Sequence, residues 1–161
     1  MRNDFTDEAG VALAEALTAH KTLREIKLSL FTEQPSRQVQ GADALSAPAY
    51  DTFCTMLRVN TSLVLEFHRF IDSTGDKRLV DSRNQMRIEQ RLNKVGRGRL
   101  LSSSQTPREE WVDALNHMNE LNSSDVDESP EFNVSCLYSL LLLNPSVCLL
   151  EPSNFITNAG L

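Results

Sequence analysis

The chain has little of what a disulfide framework or a metal knuckle needs. Cys54, Cys136 and Cys148 are odd in number, far apart and form no C-x-x-C pair, so three reduced, mostly buried thiols are expected. Long apolar runs are scarce too. The longest, Leu140 to Leu143 with Cys136 and Leu137 nearby, falls well short of the roughly 20 residues that span a bilayer. The first residues include Asn3, Asp4, Asp7 and Glu8 and hold no apolar stretch of signal-peptide length. A cytoplasmic or nuclear protein without membrane association is therefore expected. On that basis the sequons at Asn60, Asn122 and Asn133 are read as coincidence.

Motifs for chemistry are equally thin. Gly96-Arg-Gly98 has neither the third glycine nor the preceding strand of a dinucleotide fingerprint. Asp125, Asp127 and Glu128 lack the glycine and the distal glutamate of a calcium loop, so an acidic turn is expected there. His20, His68 and His117 are scattered, and nothing in the sequence brings His68 to Cys54 as a base to a nucleophile. No catalytic residue, metal, cofactor or small-molecule substrate is expected, and the chain is read as a non-enzyme.

What the chain does have is hydrophobic periodicity. Its 161 residues suffice for one domain with a core of useful size, and 40% of them are apolar. Thr6 is placed to cap a helix beginning at Asp7, with Asp7 and Glu8 suited to its first turn. Ala9, Leu13 and Leu17 follow at helical spacing. The period then switches to two, which turns Ile26 and Leu28 inward and Glu25 and Lys27 outward. The same order returns with Tyr50, Phe53 and Leu57 on a helix, a turn at Asn60-Thr-Ser62, and a strand Leu63-Val-Leu-Glu-Phe67. Leu13 and Phe53, Leu17 and Leu57, His20 and Asn60, and Leu23 and Leu63 are each 40 positions apart. The second strand is one residue shorter, so Leu65 answers to Ile26 and Phe67 to Leu28.

This segment resembles the leucine-rich repeat family in its ribonuclease-inhibitor-like subtype. Leu23, Ile26 and Leu28 match its strand pattern, Gly10 and Leu17 its helix, and Asn60 its closing asparagine, where His20 stands one unit earlier. The resemblance covers about 65 residues and departs from the family in length. The unit spans 40 positions against a family range of about 20–29, and the excess lies in the polar stretch 32–42, a surface loop by composition. Two such units are fewer than a repeat array needs. The resemblance therefore implies the C-terminal end of a longer array, or a subunit that borrows an edge.

From Asp76 the period is helical throughout. Ile88, Leu92 and Val95 form one stripe while Leu79 and Met86 fall off it, which a kink or a helix packed on two sides would explain. Thr106-Pro-Arg-Glu109 reads as a capping box, and Trp111, Leu115 and Met118 share the face of the helix behind it. Ser129-Pro130 starts another helix. Its apolar residues from Phe132 to Leu143 point all round, as in a helix buried on nearly every side, and Asn144-Pro145 stops it. Leu92 to Leu101, Arg108 to Leu115 and Cys136 to Ser146 also resemble the helical tail behind some arrays of this family, which implies an end cap without an activity of its own.

The net charge of −6 disfavours nucleic acid as a general partner and hides an asymmetry. Residues 77–99 carry eight basic residues against Asp81 and Glu89, whereas 109–131 carry eight acidic residues and no Lys or Arg. Arg83, Arg87, Arg91 and Lys94 share one helix face as a candidate basic patch. Pairing within the chain, or plain solvation, is the ordinary role of such a stripe, and it lacks aromatic residues for base stacking.

Together these readings predict an α/β protein. They place a short leucine-rich repeat solenoid, parallel strands with outer helices, over residues 1–68, an all-α C-terminal cap over 76–150 and a tail over 151–161. The expected function is protein–protein interaction through the concave face, lined by Glu25, Lys27, Val64, Glu66 and His68, with a protein partner of unknown identity. Regulation of a small GTPase, of the GTPase-activating type, is the alternative implied by the repeat subtype.

Overall fold

The computed structural model describes residues 6–29, 45–68, 76–103, 106–124 and 129–148. It divides into two compact units, residues 1–99 and 100–161. The polar stretch 32–42, the acidic cluster at 125–128 and the tail 151–161 lie outside the described residues.

In the first unit, helix α1 (Asp7–Thr18) leads to strand β1 (Glu25–Ser29), helix α2 (Ala47–Val59), strand β2 (Val64–His68) and helix α3 (Lys77–Lys94). Thr6 caps α1 as its sequence predicts, its hydroxyl oxygen accepting from the Ala9 N–H at 3.3 Å. Helix α2 packs against α1 on one side and α3 on the other. The α1 side of that contact is made by small residues: Gly10, Ala14 and Leu17 are buried, whereas Ala9 faces solvent and Leu13 is half-buried. The expected stripe of Ala9, Leu13 and Leu17 is thus rotated toward Gly10, Ala14 and Leu17.

Strands β1 and β2 pair in parallel, with Ile26 opposite Leu65 and Leu28 opposite Phe67. This is the correspondence that the shortened second strand predicts. Leu17, Phe53, Met56, Leu57, Leu63, Leu65 and Met86 form the heart of the core beneath the sheet. Helix α3 buries Met86 as well as Ile88 and Leu92, so it packs on two sides and its mixed stripes need no kink. Because α3 joins this core, the first compact unit continues to Arg99, past the break in pattern at 69–75.

The solenoid expected from the sequence is not what forms. The described residues are mostly helical, with six α-helices and just two five-residue strands in one two-stranded sheet. A leucine-rich repeat solenoid needs a stack of several parallel strands. The reason lies after α3: where a third strand would be needed, Val95 and Gly96 turn the chain directly into helix α4 (Arg97–Leu101). Gly96 makes that turn at φ +92°, in the left-handed region that suits glycine. Gly98 lies so close to the Thr61 segment that an added Cβ would sit 2.7 Å from the threonine hydroxyl and 3.2 Å from its carbonyl oxygen. With two strands there is no concave stack, and the predicted strip lies on the outer face of a small sheet.

The second unit contains helices α5 (Arg108–Ser124) and α6 (Pro130–Leu143), which pack together, and a final 3-10 turn, Pro145–Cys148. Trp111, Ala114 and Met118 are buried along α5. The Thr106 hydroxyl donates back toward the carbonyls of Leu100 and Ser103, and the helix starts at Arg108. Ser129 caps α6 by accepting from the Phe132 N–H, with Pro130 at the first turn, as expected. The all-round burial predicted for α6 is corrected. Phe132, Cys136 and Leu140 are buried, but Val134, Tyr138 and Leu142 are 64%, 61% and 55% exposed.

Candidate functional site

A sheet covered on one face must show the other, and alternation decides which side chains stand there. Glu25 and Lys27 of β1 are exposed, and Val64 and Glu66 of β2 are half-buried beside them. Register sets Glu25 against Val64 and Lys27 against Glu66. The backbone of His68 ends β2, and its side chain lies outside the described set.

The charges on this face form a line. Lys27 Nζ stands 3.1 Å from Glu25 Oε1 and 3.3 Å from Glu66 Oε2. The other oxygen of Glu66 is 3.4 Å from Lys94 Nζ, at the end of α3. Signs alternate from Lys94 through Glu66 and Lys27 to Glu25. Hydrogen bonds to Glu25 and then Glu66 hold the Lys27 ammonium above its usual pKa. Partial burial pushes the Glu66 carboxyl up, but Lys27 and Lys94 together outweigh it and hold it below the usual glutamate range. Exposed pairs of this kind contribute little to stability.

The basic stripe proves to be mostly internal. Arg83 and Arg91 are buried, Arg87 is half-buried, and Lys94 is exposed but turned to Glu66. A phosphate backbone would therefore meet little of it.

A second cluster had no clear signal in the sequence. Glu89 is buried in α3, where its Oε1 accepts from Arg58 Nε at 2.7 Å and Gln85 Nε2 at 2.9 Å. Its Oε2 accepts from Arg97, whose guanidinium also donates to the Leu57 carbonyl and, at 2.6 Å, to Asn93 Oδ1. Burial works to raise the Glu89 carboxyl, yet the hydrogen bonds from Arg58 and Arg97 win and hold it low. Asn93 Nδ2 lies 3.1, 3.1 and 2.9 Å from the carbonyl oxygens of Leu57, Asn60 and Leu63, so two hydrogens are shared among three acceptors. Asn60 does the same one layer earlier, reaching the carbonyls of Leu17 and His20 at 2.7 and 2.8 Å. These groups satisfy turns that the core would otherwise leave unpaired. Asn60, the one matched asparagine of the sequence pattern, was the available clue. Its counterpart 33 residues on, Asn93, is hidden by the change of spacing.

Chemistry based on a thiol finds no support. Cys54 is buried, its Sγ is 3.7 Å from the Ser82 carbonyl oxygen, and burial pushes its pKa up to about 12. A thiolate is scarcely populated near neutral pH under those conditions. Cys136 is likewise a buried thiol outside any disulfide. The side chain of Asn60 is buried and bonded, which leaves that sequon closed to modification. No group of His, Cys, Asp and Glu suited to a metal occurs among the described residues, and none of their helices is long and apolar enough to cross a membrane.

Comparison of the chain with known protein families, characterised proteins and solved structures finds no match.

Proposed function

We propose that the chain is a protein-recognition module whose partner contacts the outer face of the β1–β2 sheet. The observation that carries this reading is the line Glu25–Lys27–Glu66–Lys94, set on two paired strands above the core. Alternating charges held in place discriminate between partners more than they add affinity, because a wrong partner sets like charge against like. Val64 supplies the apolar member of the strip. None of the described residues forms an arrangement that favours the GTPase-regulating alternative over this one.

The test is a charge-reversal series in the full chain. Glu25→Lys, Lys27→Glu, Glu66→Lys and Lys94→Glu together keep the alternation while inverting every sign of the line. A partner recovered by affinity capture and bound through this face should lose at least about tenfold in affinity, since each juxtaposed like charge is costly. Reversal of Glu109 and Asp113 on α5 should leave it bound. Equal binding by both variants would remove the sheet face from consideration.

A further inference from the structure

The first helix–strand layer is unfinished on one side. In the second layer Phe53, Leu63 and Leu65 are 0%, 0% and 1% exposed, whereas their counterparts Leu13, Leu23 and Ile26 are each only half-buried. Leu28 is half-buried as well. Ala9, Ala12 and Ala16 face solvent along α1. Among the described residues no strand lies on the far side of β1.

Among the described residues no strand pairs with the backbone of β1 on that side. Parallel pairing with Glu25 opposite Val64, together with the bond from the Val64 N–H to the Arg24 carbonyl, directs the peptide groups of Arg24, Ile26 and Leu28 to β2. Those of Glu25 and Lys27 point outward, as the edge of a sheet does. The line of ion pairs ends at this edge. Among the described residues Lys27 lies between two carboxylates and Glu66 between two ammonium groups, whereas Glu25, the terminal member, pairs with Lys27 alone. The next charge in the alternation would be a cation, supplied from across the open edge.

We infer that β1 accepts an added parallel strand from a partner protein, with apolar residues alternating inward over Ile26 and Leu28 and a Lys or Arg set beside Glu25. Strand addition of this kind draws affinity from main-chain hydrogen bonds and specificity from alternate side chains. The inference rests on the reading of the first unit as a recognition module but uses a different surface. The sheet face is read by side chains, and the edge by the backbone.

Lys27 separates the two, because its side chain belongs to the face and its N–H to the edge. Lys27→Pro removes the outward N–H without touching the β1–β2 ladder, and proline is tolerated on an edge strand with its nitrogen outward. Lys27→Ala removes the ion pairs and keeps the N–H. The probe is a library of random 12-residue peptides displayed on phage and selected against the intact chain. The expected result is enrichment of peptides alternating β-branched and basic residues. These should bind Lys27→Pro at least about tenfold more weakly than Lys27→Ala, and Glu25→Gln should lower their affinity severalfold. A readout independent of the variants is amide exchange in the wild-type chain. Bound peptide should slow the Lys27 amide at least about tenfold and leave the Ile26 amide, already paired with β2, nearly unchanged. The inference is overturned by an unenriched library, by peptides that bind the proline and alanine variants alike, or by protection placed elsewhere. Self-association of the chain that the proline variant abolishes would also overturn it, in favour of a second copy as occupant. A partner lost on reversing the face charges but indifferent to proline at 27 would support the face reading and sink this one.

Discussion

The layer formed by α1 and β1 and the layer formed by α2 and β2 are written in nearly the same pattern, yet they live in different surroundings. The second is flanked on both sides, by α1 and β1 before it and α3 after it, and its apolar residues are almost wholly enclosed. Among the described residues the first is flanked on one side, and the residues at matching positions remain half-buried. Periodicity states which face of an element is apolar. Neighbours determine how much of that face leaves water, and hence how much it stabilises.

The largest expected effect is a difference between matched truncations. Phe53→Ala should cost about 3–5 kcal/mol, because it opens a cavity in closed packing. Leu13→Ala should cost roughly 1–2 kcal/mol, since a half-exposed leucine has less transfer energy to lose. Denaturant unfolding of the two variants measures both, and equal costs would erase the distinction between the layers.

Next comes the ion cluster of Arg58, Glu89 and Arg97 that flanks the second layer. Glu89→Gln leaves the buried Arg97 guanidinium without its carboxylate and should cost about 3 kcal/mol near neutral pH. The sign of the pH dependence is set by the depressed pKa of Glu89. Its contribution is fully present above the unfolded-state value of about 4.3 and is lost as pH falls through the lower folded-state value. Wild-type and Glu89→Gln stabilities should therefore converge in acid, as thermal melts at a series of pH values would show.

The asparagines that bind each layer to the next should rank third. Asn93→Ala strips donors from three buried carbonyls, and Asn60→Ala from two. Costs of about 2 and about 1.5 kcal/mol are expected. Exchange measurements should localise the first loss to the α2–β2 turn and the second to the α1–β1 turn.

Helix caps give the smallest contrast. Thr6→Ala should cost about 1 kcal/mol because its hydroxyl oxygen caps α1. Ser46, at the matching position before α2, makes no such side-chain bond, and its N–H donates at 2.8 Å to the Asp7 carboxylate instead. Ser46→Ala should stay within about 0.5 kcal/mol of wild type.

Much of the local structure was legible. The switch from helical to alternating period located α1, β1, α2 and β2, and the 40-residue offset with its one-residue slip anticipated the pairing of Ile26 with Leu65. Ser129-Pro130 and Asn144-Pro145 bracketed α6. Other readings failed for physical reasons. A solenoid was inferred from two units, but its propagation depends on the segment after α3, and there Gly96 turns the chain into another helix. For Arg83, Arg87, Arg91 and Lys94 the sequence left pairing within the chain, solvation and an outside partner open, and Arg83 and Arg91 are buried, because charge alone does not say whether another part of the chain covers it. Val134, Tyr138 and Leu142 looked like core residues and are exposed, since an apolar residue records a preference that packing need not satisfy.

Of the candidate site, the sequence by itself determined the membership of the strip. Alternation about Ile26 and about Leu65 leaves Glu25, Lys27, Val64 and Glu66 on the other face wherever the strands are placed. Only the tertiary structure decided that these charges join into one line, with Lys94 at one end and Glu25 at the other. Ion pairs between strands and helices depend on register and on the approach of distant segments, to within a few ångströms. Periodicity along a single chain does not encode those distances.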